Sequence, residues 1–174
     1  AEIEKLMEYY RYEVENNGMK PKDFLVIYPF TSKPHPLTEG FNMSIREYWK
    51  DKNDDDDYYK YSIFHKSEEG CSIDLSESDD TTRIVSIHSS KGDGRKVVFV
   101  LGITENSLRM FSCDCDNLVY DSLLHVALTR MKERLYLRVE NNGDSISKKI
   151  SEFEEKKDDL TIKPNLNLSK FVRM

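Results

Sequence analysis

The absences in this chain narrow it first. Nowhere in its 174 residues is there a G-x-x-x-x-G-K-[ST] loop, the glycines, lysine and hydroxyl that cradle a nucleotide's phosphates and its magnesium. No apolar run approaches the ~20 residues that span a bilayer, and no charged-then-apolar leader opens the chain. No membrane contact is expected. Cysteine is scarce: Cys71, Cys113 and Cys115 make an odd set without framework spacing, which fits a reducing intracellular compartment. Cys113-Asp114-Cys115 offers two thiolates, but no His or Cys cluster completes a zinc set, so no metal site is expected. Positive charge is not in excess either. A net charge of −6 argues against a surface that binds nucleic acid over its whole extent. A local groove remains open, because acidic residues can be segregated elsewhere, as in Asp54–Asp57.

What is present describes one polar globule. The length suits a single domain, 1–174, and 38% hydrophobic residues are enough for a core. Residues 2–16 carry Ile3, Leu6, Met7, Tyr10 and Val14 at helical spacing, with Asn17-Gly18 as the stop. Phe24 to Tyr28 (FLVIY) is a continuous apolar strand of the kind buried on both faces. Three prolines between 29 and 36 mark an irregular loop at its end, the place where α/β sheets usually bind ligands. Residues 37–52 predict a helix with Phe41, Ile45, Tyr48 and Trp49 on one side; Trp49 is expected in the core. Residues 59–65 have strand-like composition, 67–80 are a polar connector, 145–157 predict a last helix, and the tail from Asp158 is expected to be irregular. The alternation of strands and helices makes α/β with a mostly parallel sheet the best class.

Two later stretches carry the chemistry. Thr82 to Ile103, TRIVSIHSSKGDGRKVVFVLGI, runs from a strand (83–88) through a polar loop with Lys91, Gly92 and Gly94 into an apolar run, 97–103. Lys91, Arg95 and Lys96 gather in that loop as a local cationic group. Only about seven residues separate the two strands, short for a parallel crossover, and spacing alone does not choose between crossover and hairpin. Tyr120 to Val139, YDSLLHVALTRMKERLYLRV, begins with helical periodicity at Leu123, Leu124, Ala127, Leu128 and Met131. Arg130, Lys132 and Arg134 suit the negative end of that helix, and from Leu135 the pattern alternates as in a strand. Arg130 borders the buried face. It reads either as a snorkelling arginine or as a guanidinium held so that its fork can meet a phosphate.

In this order the two stretches resemble motifs V and VI of superfamily 1 DNA helicases of the UvrD/Rep type. Those proteins carry a pattern like T-x-H-S-x-K-G-L-E before an apolar strand and, later, V-A-L-T-R-A-x-E-x-L-x-L. Here the second stands as Val126-Ala127-Leu128-Thr129-Arg130-Met131-Lys132-Glu133-Arg134-Leu135-Tyr136-Leu137. The resemblance covers roughly a third of the chain. It implies a RecA-like, P-loop NTPase-type three-layer fold lacking its own Walker A loop, with a very short helix between the motif V strands. The domain would be the C-terminal motor part of an ATP-dependent DNA helicase or translocase. The missing phosphate loop and the start at Ala1 add the expectation of a fragment of a longer protein.

By the same resemblance Arg130 is the arginine that meets the γ-phosphate of ATP. That ATP and its Mg2+ would be held mainly by a preceding RecA-like domain of the same protein. Lys91, Gly92, Asp93 and Gly94 form the loop near the nucleotide, Gly92 allowing close backbone approach. His88 and Ser89, with Thr31 and Ser32 in the proline-rich loop, would touch single-stranded DNA. Three departures stand out. Asp93-Gly94 replaces the family's Leu-Glu, and Gly94 cannot hold the nucleotide sugar as that glutamate does, which leaves open whether Asp93 takes over from one position earlier or the sugar contact is absent; Pro29 stands where the family often has arginine. His125 stands in place of the family's common tyrosine. They leave open a catalytically inactive helicase-like module that binds protein or nucleic acid. A phosphotransferase built on Gly92-Asp93-Gly94 is disfavoured, since no Lys-Ser/Thr pair follows. The isolated chain is expected to be monomeric and without ATPase activity. The Lys-, Asn-, Asp- and Ile-rich composition and the KGDGRKVVFV variant are similar to helicases of large DNA viruses, which would work in the host cytoplasm or nucleus.

Overall fold

Five consecutive side chains, Phe24–Tyr28, form the strand β1, and all five are buried. A strand apolar on both faces needs a neighbour on each side and cover above and below, which a parallel sheet supplies. In a computed structural model, which describes residues 2–28, 36–66, 74–87, 89, 94–102 and 130–138 and the backbone of 171–173, β1 lies inside such a sheet. The strands that follow are β2 (Ser62–Phe64), β3 (Thr82–Ser86), β4 (Arg95–Val100), β5 (Met131–Leu137) and β6 (Phe171–Arg173). Six strands stand in the order β2-β3-β1-β4-β5-β6, and every neighbouring pair is parallel. The protein is therefore α/β with a parallel sheet.

Two helices cover one face. In α1 (Glu2–Asn17) the buried residues Leu6, Met7, Tyr10 and Val14 lie at helical spacing, and Gly18 turns the chain out of the helix with φ +67. In α2 (Pro36–Asn53) Leu37, Phe41, Ile45 and Trp49 recur every fourth residue and are buried. Both helices pack on Phe24, Val26, Tyr28, Ile84, Val97, Phe99 and Tyr136. The rings interlock there: Tyr10 stacks on Phe24 at 4.0 Å and Phe99 on Tyr136 at 4.8 Å. Trp49 is a core residue, as expected, and a chain of hydrogen bonds explains how its polar atom is satisfied. Its Nε1 donates to the Tyr10 hydroxyl (2.9 Å), which bonds Thr82 Oγ1 (2.7 Å), which donates to Pro21 O (3.0 Å). Burial pushes the Tyr10 phenol well above its usual range. On the opposite face Leu25, Ile27, Val85, Val98, Val100, Leu135 and Leu137 are also buried, so both sides of the sheet are covered.

One point that spacing left open is decided by the topology, and three stretches differ from the sequence expectation. The connection 87–94 joins parallel strands, with β1 lying between β3 and β4, so it is a crossover and not a hairpin. It must pass two strand spacings, about 10 Å, and return along a strand, about 17 Å. Eight residues can reach roughly 26–29 Å. The short connection thus suffices without the dozen residues of an ordinary crossover. Next, Lys132 and Arg134 belong to β5 and not to a helical turn, because Met131 already pairs with Arg95. The sheet ladder overrides the helical tendency of that stretch. Last, part of the tail is ordered: Phe171–Arg173 pairs with Leu135–Leu137. Of residues 59–65 only Ser62–Phe64 is strand, since Tyr58–Tyr61 forms a 3-10 turn. That turn is tied to the acidic loop by Asp55, which meets Lys60 at 2.5 Å and accepts from the Tyr61 hydroxyl at 2.8 Å. The Lys60 ammonium, then Tyr61, holds the Asp55 carboxyl down at about 2. The expected helices within 121–129 and 145–157, the loop 104–117, and all three cysteines lie outside the described residues.

Candidate functional site

The described members of the expected site divide between the two ends of the sheet. Gly94 and Arg130 directly precede β4 and β5, at the amino-terminal edge. Ser89 follows β3, at the carboxyl-terminal edge, where its N–H donates to Ser86 O at 3.1 Å and its hydroxyl accepts from Ser86 Oγ at 3.2 Å. Next to it Ile87 N–H donates to Tyr28 O at 3.0 Å, so the turn holding Ser89 adjoins the end of β1. Thr31, Ser32, His88, Lys91, Gly92 and Asp93 lie outside the described residues. The two edges are about 20 Å apart, the length of a six-residue strand, and the 87–94 connection runs between them.

At the amino-terminal edge Arg130 O accepts the Arg95 N–H at 3.2 Å. A Cβ built on Gly94 would stand 3.2 Å from that same oxygen and 3.6 Å from Lys132 Cε. A side chain here would require that oxygen to give by a few tenths of an ångström. The close backbone approach expected of Gly92 lies outside the described residues. One extra residue sits on β5 immediately afterwards: Arg95 pairs with Met131, but Val97 pairs with Arg134. Because side chains alternate along a strand, this bulge puts Met131 in the row of Arg134 and Tyr136, which faces α1, and takes Arg130 out of it.

The Arg130 guanidinium is half-buried and makes no ion pair or hydrogen bond among the described residues; its Nε is buried without an acceptor. The neighbouring arginines are answered from within the fold. Arg134 Nε lies 2.5 Å from Glu13 Oε1, close enough for an ion pair although its angle is poor for a hydrogen bond. Glu13, fully buried, also accepts from the Tyr136 hydroxyl (2.6 Å) and from Asn17 (3.0 Å). Burial disfavours the Arg134 charge, but the Glu13 carboxylate outweighs it and raises the pKa. Arg138 meets Glu2 at 2.5 Å.

Arg95 corrects the expectation of a cationic group with Lys91 and Lys96. It is buried, and its fork donates to Phe24 O (3.1 Å), Ser78 O (2.7 Å) and Thr81 O. Lys96 is exposed, 3.9 Å from Asp23. Beside Arg95 is a buried polar cluster that sequence pattern did not reveal. Ser78 Oγ donates to Leu75 O at 3.0 Å and accepts from Arg83 Nε at 2.6 Å. With its one proton so used, it accepts from His65 Nε2 at 2.7 Å, which sets the Nε2–H tautomer. Arg83 also pairs with Asp79 at 2.7 Å. Burial, then the Arg83 charge, lowers the His65 pKa. The only sequence signal was the coincidence of His65, Ser78 and two arginines at strand starts.

No three acidic, His or Cys groups among the described residues are placed to hold a metal ion, and none of their helices is long and apolar enough to cross a membrane. No family model matches the chain, and no curated protein matches it significantly.

Proposed function

We propose that this chain is the C-terminal motor domain of an ATP-dependent helicase or translocase of the UvrD/Rep kind, with the RecA-like three-layer fold of that family. The observation that carries the reading is the state of Arg130. Its Nε is buried without an acceptor, and an anion arriving from outside would answer the charge of this half-buried guanidinium. It sits against the glycine that ends the motif V-like loop. Triphosphate bound by a preceding RecA-like domain fits such a cation, and a cross-domain arginine adds on the order of 10³ to 10⁵ in hydrolysis rate by offsetting charge on the departing phosphoryl group. Magnesium would come with that nucleotide, since the Gly94–Arg130 edge offers a cation and main chain rather than metal ligands.

Coupling to single-stranded DNA follows from the two edges. Arg130 and Gly94 would sense nucleotide at one edge; Ser89, with His88 and the 29–36 loop, would hold a DNA backbone at the other. The short 87–94 connection joins them, so a shift of one end pulls on the other. Affinity for the partner domain then depends on the γ-phosphate, and closing and opening moves the grip along the strand.

A second reading has one observation in its favour. Gly94 stands where the family has a glutamate and carries no side chain to hold a nucleotide sugar, and a Cβ there would lie 3.2 Å from Arg130 O. That favours an inactive helicase-like module. The two readings separate in the full-length polypeptide, assayed for ATP turnover with and without single-stranded DNA. The motor reading expects turnover that DNA stimulates at least tenfold; no turnover in either condition refutes it and leaves the inactive module.

A further inference from the structure

We propose that Arg95 is a positioning residue for Arg130, acting through the main chain at the amino-terminal edge of the sheet. The proposal rests on the phosphate-facing role of Arg130 given above.

Arg95 stands where four strands begin. Its guanidinium donates to Phe24 O at the start of β1, to Thr81 O just before β3, and to Ser78 O in the turn that leads there. Its own N–H donates to Arg130 O, just before β5. One buried side chain thus fixes the first residue of β4 against β1 and β3, and its backbone fixes the residue that precedes β5. A planar fork with several donors in fixed directions can hold three carbonyls at once; a lysine ammonium on a flexible stem cannot hold them in the same geometry.

The tie also sets register. Arg95–Met131 is the last pair before the extra residue on β5. A slip of one residue there would exchange the faces of Met131 and Arg130 and turn the guanidinium toward α1. Gly94 contributes from the adjacent position, because a methyl group at 3.2 Å from Arg130 O would push that carbonyl aside by a few tenths of an ångström.

The test uses the full-length polypeptide with Arg95→Lys and Gly94→Ala, each made in the wild-type and in the Arg130→Lys background. Thermal melts first establish that each variant folds. Amide exchange without nucleotide then reads the edge directly: faster exchange is expected at residue 95 and at 130–132, with α1 and β1 unchanged. In the wild-type background kcat should fall about tenfold for Arg95→Lys with KM for ATP within about twofold, and less for Gly94→Ala, since small misplacements at a charged catalytic group act on turnover. In the Arg130→Lys background neither change should lower kcat by more than about twofold, because the residue acted through is already altered. Equal losses in both backgrounds, or faster edge exchange with kcat unchanged, would overturn the positioning role. If Arg130→Lys by itself leaves kcat at the wild-type value, the phosphate-facing role fails, and the proposal built on it fails with it.

Discussion

The arginines of this domain differ in what meets their charge. Arg134 has the Glu13 carboxylate, Arg83 has Asp79 and a serine hydroxyl, and Arg95 has backbone carbonyls. Arg130 has no such partner among the described residues. A buried donor without an acceptor is unfavourable, and this contrast gives Arg130 its weight. The sequence showed Arg130 through its motif. It did not show the burial of Arg95, because the acceptors come from residues 24, 78 and 81, far away in the chain. His65 was equally hidden. Its ring faces Arg83 and Arg95, with Glu77 and Asp74 also near enough to act on it and Ser78 bonded to it. Its pKa in the folded state lies below the ordinary 6.5, so between those values the unfolded chain binds more protons than the folded one. Stability is then full above 6.5 and falls as pH drops below it. Urea denaturation at pH 7.5 and 5.0 should show this loss, and His65→Gln, which keeps a donor for Ser78, should flatten it. An unchanged pH slope in the variant would contradict the assignment.

At the scale of elements, α1 is latched to β5 through one buried carboxylate. Glu13 meets Arg134, Tyr136 and Asn17 together, and Glu2 meets Arg138 at the other end of the helix. Removing one partner of a buried ion pair is costly because the other charge stays behind. Glu13→Gln should therefore lower the unfolding free energy by about 2–4 kcal/mol, short of the upper range for such pairs because a quarter of the Arg134 side chain remains exposed, at 24%. Chemical denaturation measures it, and a loss below about 0.5 kcal/mol would show the latch to be incidental. The elements themselves were largely legible. FLVIY reads as a buried strand and Asn17-Gly18 as a helix stop, and both are found so. Legibility failed where long-range pairing decides. Nothing near residues 87–94 says that β1 is inserted between β3 and β4, and nothing near Arg130 says that the ladder to β4 begins at Met131. Three residues of β6 are too few to show a pattern of their own.

For the whole molecule, the parallel sheet gives two chemically distinct edges, and the 87–94 connection is a short crossover between them. Gly94 and Arg130 occupy one edge, Ser89 and the end of β1 the other. On the proposed motor reading, a phosphate met at one end would alter the hold on a polymer at the other. The most direct measurement is ATP turnover by the full-length polypeptide carrying Arg130→Ala, with saturating single-stranded DNA and with ATP affinity measured in parallel. Turnover should fall by on the order of 10³ or more while ATP affinity and thermal stability change little. Turnover that stays within a few-fold of the unaltered protein would contradict the account.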